Sequence, residues 1–242
     1  MKILGIDTST KYLSVAITDG GKLSGVYSQE CAQMHAARLV PVVKKLLQKA
    51  KMRLSDLDAL AVSIGPGSFT GLRIGVSTAK GLVIADKIPV VPVPTMDAIA
   101  KNAAHHSGKV CVILDARKQQ VYACLYEVNP APAYKGTGVS RSGVKRVSPY
   151  MLLKIEDLLE KLKGEILFLG DAIDIYKKEI EKDKKLKPVF AEQELWYPDP
   201  YWVCEIGERL FEARKTVSAE DLVPMYIYLR ECTITKPVTR NQ

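Results

Sequence analysis

MKILGIDTSTKYLSVAITDGGKLSGVYSQE, residues 1–30, predicts three strands in a row. KILGID (2–7) is a nearly continuous apolar run, as a strand buried on both faces requires. YLSVAITD (12–19) alternates Leu13, Val15 and Ile17 with polar neighbours, the period of a half-buried strand. Gly20-Gly21 suits a tight hairpin turn, and KLSGVYSQE (22–30) returns as the third strand of an antiparallel meander. The period then changes. Leu39, Val42, Val43, Leu46, Leu47 and Ala50 recur at helical spacing, with Pro41 expected to kink the helix or delay its start. LDALAVSIG (57–65) is the next strand, TGLRIGVSTAKGLVIADK (70–87) a second helix and IPVVPVP (88–94) another strand. Strand, helix, strand in this rhythm implies a βαβ crossover with parallel pairing.

The second half repeats the plan. KVCVILDA (109–116) and QQVYACLYEV (119–128) are strands around the polar turn Arg117-Lys118-Gln119. NPAPAYKGTGV (129–139) reads as a surface loop and SRSGVKRV (140–147) as a weaker third strand. Ser148 as cap and Pro149 at the first position predict a helix through MLLKIEDLLEKL (151–162). GEILFLGD (164–171) is a strand, a charged helical stretch follows, and a last helix begins after Asp199-Pro200 and runs through CEIGERLFEARK (204–215). Three strands, helix, strand and helix occur twice without obvious sequence identity. Such duplicated lobes are the plan of the α/β actin-like/ribonuclease-H-like (ASKHA) fold. Residues 1–105 form the first lobe and 106–242 the second, with the last helix able to pack back on the first.

Composition narrows the class. The 242 residues are 47% hydrophobic, ordinary for a chain that buries a core. No run of 18 apolar residues occurs, so no membrane span is expected, and the N-terminal apolar run ends at Asp7 like a buried strand rather than a secretion signal. The five cysteines, Cys31, Cys111, Cys124, Cys204 and Cys232, are scattered, and read as reduced core thiols of a cytoplasmic protein. The net charge is +8, and residues 31–55 carry Arg38, Lys44, Lys45, Lys49, Lys51 and Arg53 with no acid. That run is either a solvated helix face or a patch facing RNA or an acidic partner.

Three features bear on chemistry. Asp7, followed by Thr8, Ser9 and Thr10, closes the first strand; in an actin-like cleft such a group holds a hydrated magnesium ion and meets phosphate, or else it merely satisfies turn amides. Asp115 is its counterpart in the second half, but Ala116, Arg117, Lys118 and Gln119 replace the glycine-rich turn that would wrap phosphate closely. GPGSFTGLRIG (65–75) makes a compact loop whose Ser68 or Thr70 caps a helix. No GK[ST] follows it, which excludes a Walker-type loop. Gly71, Gly75 and Ala79 lie four apart on one helix face beside Leu72 and Val76, a stripe fit either for close docking of another helix or for internal packing. His35 stands alone and His105-His106 diverge, so no metal site is expected, and no GxSxG or HExxH motif points to hydrolysis.

GIDTSTKYLSVAI (5–17), MHAARLVPVVKKLL (34–47), SIGPGSFTGLRIGVSTAKGL (63–82), VPVPTMDAIA (91–100) and LDARKQQVYACLY (114–126) together resemble the bacterial tRNA threonylcarbamoyladenosine-biosynthesis family TsaB, also called YeaZ. The likeness runs in order over residues 1–128, thins between 129 and 195, and resumes at LVPMYIYLRE (222–231). It implies a non-catalytic partner subunit of the complex that modifies the adenosine next to the anticodon of ANN-decoding tRNAs. The implied partners are a catalytic TsaD-type paralogue, a TsaE-type ATPase and, through the complex, tRNA, with a homodimer when the paralogue is absent. ATP and magnesium would enter only in that complex. The paralogue carries two histidines four apart where this chain has Thr95, Met96, Asp97, Ala98 and Ile99, so the metal ligands for group transfer are missing here. The resemblance also implies an interface built from Leu39, Val43, Leu46, Leu47, Gly71, Leu72, Gly75, Val76 and Ala79, with Gly75→Leu blocking it and leaving the fold intact. The competing expectation is an autonomous actin-like ATP-dependent phosphotransferase or hydrolase using Asp7, Thr8 and Asp115.

Overall fold

A computed structural model describes residues 1–31, 34–129 and 143–227. The meander forms as expected: β1 (Lys2–Asp7), β2 (Tyr12–Asp19) and β3 (Lys22–Glu30) pair antiparallel. Helix α1 (His35–Lys49) follows, then β4 (Ala59–Gly65), α2 (Phe69–Val83), β5 (Val90–Pro94) and the short α3 (Thr95–Lys101). β4 joins β1 in parallel with Ile3 opposite Ala59, and β5 joins β4, giving the order β3-β2-β1-β4-β5. α1 passes through Pro41 unbroken. Pro41 is exposed, so the carbonyl left without a helical donor meets water instead.

The second sheet is built from β6 (Gly108–Arg117), β7 (Gln120–Asn129), β8 (Gly143–Arg146), β9 (Met151–Lys154), β10 (Gly164–Leu169) and β11 (Leu186–Phe190). Read from its meander side, the order is β8-β7-β6-β10-β11, the same as in the first sheet. Helices α4 (Ile155–Glu160) and α5 (Ile173–Lys182) supply the crossovers, and α6 (Pro200–Glu212) is the last helix among the described residues.

Two expectations fail in this half. The helix expected from Ser148 through Leu162 is split: Met151–Lys154 is strand β9, and only Ile155–Glu160 is helical. β8 pairs with Tyr126–Asn129 and leaves Gln120–Ala123 of β7 unpaired, and β9 completes that ladder. Ser148 does not cap a helix; its Oγ accepts the amide hydrogen of Leu125 at 2.9 Å. Sheet pairing, which satisfies four residues of otherwise open edge, overrides the local start signal. The other miss is β11, whose Lys187-Pro188 centre hides a strand that extends β10 in parallel. The loop beyond Asn129, the start of SRSGVKRV, Cys232 and the tail TITKPVTRNQ lie outside the described residues.

The central strands β1, β2 and β4 of the first sheet are buried on both faces, while β3 at the edge is largely exposed. Leu4, Ile6, Val15 and Ile17 meet Leu39, Val43, Leu46 and Val76 from α1 and α2. On the other face, Ile3, Ala59, Ala61 and Val91 meet Val203, Cys204 and Ile206 of α6. Gly5 allows that approach, since a Cβ there would stand 2.6 Å from Cys204 Sγ. The four described cysteines are free and buried. Burial pushes the Cys204 thiol up to about 12 and raises that of Cys111. No helix among the described residues is long and apolar enough to cross a membrane.

Candidate functional site: the cleft between the lobes

A cavity of about 820 Å³ lies where the two sheets meet. One wall is the turn Ser9-Thr10-Lys11 with the start of α2, Gly67 to Gly71; the other is Leu114 to Arg117 with Asp171. Ser68 caps α2, its Oγ accepting the Gly71 amide hydrogen at 3.2 Å. Three strand ends, β1, β6 and β10, bring the carboxylates Asp7, Asp115 and Asp171 toward this region.

They stand in different environments. Asp7 is fully buried and does not line the cavity. Its Oδ1 accepts the Ser9 amide hydrogen at 3.2 Å and its Oδ2 the Ser9 hydroxyl at 2.8 Å. Burial raises its pKa against the pull of the Ser63 and Ser9 hydroxyls. Thr8 is also fully buried, and its Oγ1 donates to the Gly71 carbonyl at 2.7 Å. Asp7 and Thr8 therefore organise the turn from below and, unlike Asp115, do not line the cavity where a cofactor role was expected of them. Asp115 does open on the cavity. Its Oδ1 accepts the Arg117 amide hydrogen at 2.8 Å, and its Oδ2 pairs with the Arg117 guanidinium at 3.1 Å.

Sequence reasoning missed Asp171 and His35. Asp171 Oδ1 accepts the Asp115 amide hydrogen at 3.0 Å, and burial, with the Asp115 charge beside it, raises its pKa. Its signal was available: Asp7 ends β1, Asp115 lies near the end of β6 and Asp171 stands two residues beyond β10, all at the carboxyl end of a strand, where open sheets place ligands. His35 is buried at the cavity wall and bonds the Tyr12 carbonyl through Nε2 at 3.1 Å. Arg117, Lys118 and Gln119 all have positive φ, at 65°, 49° and 61°. This left-handed stretch turns the cationic lip of the second lobe without any glycine. The cleft so built offers hydroxyls, a helix start, Lys11 and Arg117, groups suited to an anion. Among the described residues no three His, Cys, Asp or Glu side chains cluster to hold a metal.

The segment Thr95 to Ile99 is the first turn and a half of α3. Thr95, Met96, Ala98 and Ile99 are completely buried. Asp97 reaches into the second lobe, where its Oδ1 accepts the hydroxyl hydrogens of Tyr126 at 2.7 Å and Tyr150 at 2.8 Å. Arg146 stacks on Tyr150 at 4.3 Å and approaches Asp97 Oδ2 at 4.0 Å. Burial and the Asp97 charge raise both phenol pKa values. At this position the chain has a clamp between lobes.

The residues expected at a partner interface, Leu39, Val43, Leu46, Leu47, Gly71, Leu72, Gly75, Val76 and Ala79, are all buried inside the chain. In the isolated chain they face its own interior. The glycine stripe seats α2 on the β1–β2 turn. A Cβ at Gly71 would collide with the Thr8 carbonyl oxygen, and one at Gly75 with Thr8 Oγ1. Gly75→Leu would thus disturb the fold. What α1 and α2 turn outward is different: Val40 is 49% exposed, Phe69 53% and Ile84 72%.

Two sheets of one topology facing a shared cleft define an actin-like/ribonuclease-H-like (ASKHA) protein. A family model described as "TsaD: tRNA N6-adenosine threonylcarbamoyltransferase" matches residues 13–233. The tRNA threonylcarbamoyladenosine biosynthesis protein TsaB of Bacillus subtilis is 32% identical over 96% of both chains. The protein of that name from Escherichia coli is 29% identical over 94% of both. Among solved structures, YeaZ from Pseudomonas aeruginosa superposes with a TM-score of 0.76 at 26% identity, covering 93% of this chain and 99% of that one. The chain belongs to the TsaB (YeaZ) family, within the wider group that the TsaD model describes.

Proposed function

We propose that this chain serves in threonylcarbamoyladenosine formation on tRNA as a non-catalytic subunit supporting a TsaD-type transferase. The observation that carries the reading is full-length similarity to proteins named for that biosynthesis, joined to the content of α3. Where the catalytic paralogue needs two imidazoles, this chain has buried Thr95 and Ile99, and Asp97 is bound to Tyr126 and Tyr150. The docking surface is the outward side of α1 and α2 around Val40 and Ile84, the same helices as the resemblance implies but the opposite face. A TsaE-type ATPase joins the pair, tRNA is met through the complex, ATP and magnesium act only there, and the setting is the cytoplasm.

Co-purification of the tagged chain with a TsaD-type paralogue, with and without tRNA, tests this. A one-to-one complex is expected, and no threonylcarbamoyl transfer by the chain alone. Transfer by the isolated chain, or no complex under any condition, would refute it. A second reading, an autonomous ATP-dependent phosphotransferase or hydrolase, is favoured by the size of the cleft and its Lys11 and Arg117. It requires heat on mixing the isolated chain with ATP and magnesium in a calorimeter, and a flat titration removes it.

A further inference from the structure

Residues 31–55 hold no acid, although 27 acids among 242 residues would place about three in any stretch of that length. The fold turns this bias into a line. At 3.6 residues per turn, Arg38, Lys45 and Lys49 of α1 fall within about 40° of one another on the helix circumference. All three are exposed, and none forms an ion pair among the described residues. Lys51 continues the line past the helix end, also exposed.

Ordinary helix electrostatics does not account for it. Lys49 in the last turn complements the helix dipole, but Arg38 sits in the first turn, where a cation is unfavourable and no acid offsets it. A solvated helix face mixes signs, as α5 does: Lys177, Lys178 and Lys182 there alternate with Asp174, Glu179 and Glu181. The line also stands apart from the docking side. Leu46, which packs on Gly25 of β3, lies about 80° round from the line, so the cations border β3. Val40 lies on the other flank.

We infer that Arg38, Lys45 and Lys49 contact the phosphate backbone of RNA while the opposite flank of α1 faces the protein partner. A single-signed row of unpaired cations suits a polyanion, which gains by releasing counterions wherever a side chain meets a phosphate. The contact is sequence-independent and positions the RNA. The inference rests on the tRNA-related reading above for its choice of polyanion.

The test uses the full chain and an unmodified tRNA transcript, with fluorescence anisotropy across a salt series. Replacing Arg38, Lys45 and Lys49 together by Gln should make the slope of log K against log salt shallower by about 2–3, at roughly 0.7–0.9 per lost phosphate contact. Replacing Lys178, Lys182 and Lys184 by Gln should leave the slope unchanged. An unchanged slope in the first variant, or an equal loss in the second, overturns the inference. So does a first variant that loses binding only to vesicles containing an anionic lipid, which assigns the line to a membrane. Capture of the TsaD-type partner by the unsubstituted chain is measured in parallel: no capture, with the slope still made shallower by the first set of substitutions, defeats the proposed function and leaves this inference standing.

Discussion

Two glycines of one helix should respond to alanine in opposite directions. Gly75 and Gly81 both lie inside α2, where Gly→Ala gains about 1 kcal/mol from helix propensity. At Gly81 nothing lies within 4 Å of an added Cβ, so the gain of about 0.5–1 kcal/mol is realised in full. At Gly75 the Cβ meets Thr8 Oγ1, which is fixed by its 2.7 Å bond to the Gly71 carbonyl. Displacing that buried hydroxyl costs about 1–3 kcal/mol for the broken hydrogen bond. Overpacking the seam costs about 1–3 kcal/mol more. Set against the propensity gain, Gly75→Ala should destabilise by about 1–5 kcal/mol, centred near 3, lowering Tm by roughly 6–12 °C at the centre. Removing the obstacle should rescue it. With Thr8→Ala, the next atoms near the new Cβ are Thr8 Cβ at 3.6 Å and Val62 Cγ2 at 3.7 Å, which is ordinary contact. Urea unfolding of wild type, both singles and the double should return a coupling of about 1–3 kcal/mol. Equal stability of Gly75→Ala and wild type, or strict additivity with Thr8→Ala, would refute the view that the stripe is internal packing.

Asp97→Ala should cost about 2–4 kcal/mol, because the buried Tyr126 and the half-buried Tyr150 lose their shared acceptor, while Asp97→Asn, which keeps an acceptor oxygen, should cost less by the same urea assay. The raised pKa of Asp171 sets a sign for pH. The folded chain binds its proton more tightly than the unfolded chain, so this group's contribution is present below the ordinary carboxylate value, about 3.9, and is lost as pH rises through the raised folded value. Asp171→Asn should therefore gain stability relative to wild type on going from pH 3 to pH 7, and a gain on acidification instead would contradict the burial seen at this side chain. Val40→Glu with Ile84→Glu should leave Tm nearly unchanged, within about 0.5 kcal/mol each, and abolish co-purification with the TsaD-type paralogue.

Much of the architecture was legible in local periodicity. Leu13, Val15 and Ile17 at spacing two, and Leu39, Val43, Leu46 and Leu47 at helical spacing, mark the side each element buries, because alternation and the 3.6-residue turn depend only on backbone geometry. The duplication, the β6–β7 turn at Arg117 to Gln119 and the buried thiols followed from the same kind of reading. β9 and β11 were not legible, because each exists to complete a ladder whose open edge lies elsewhere in the chain. The candidate site was legible in part: Asp115 opens on the cleft, while Asp7 and Thr8, equally plausible by position, are buried beneath it.

The sequence by itself determined the fold class and the family, which rest on patterns and motifs carried within short stretches. It also established that Gly71, Gly75 and Ala79 share a helix face. Only the tertiary structure decided what that face meets. Helical spacing specifies which side chains align, but whether an aligned stripe faces the β1–β2 turn of its own lobe or another protein depends on contacts such as Thr8 with Gly71, 63 residues apart. Val40 and Ile84 are the apolar side chains of this region left exposed once the glycine face has been used to close the fold.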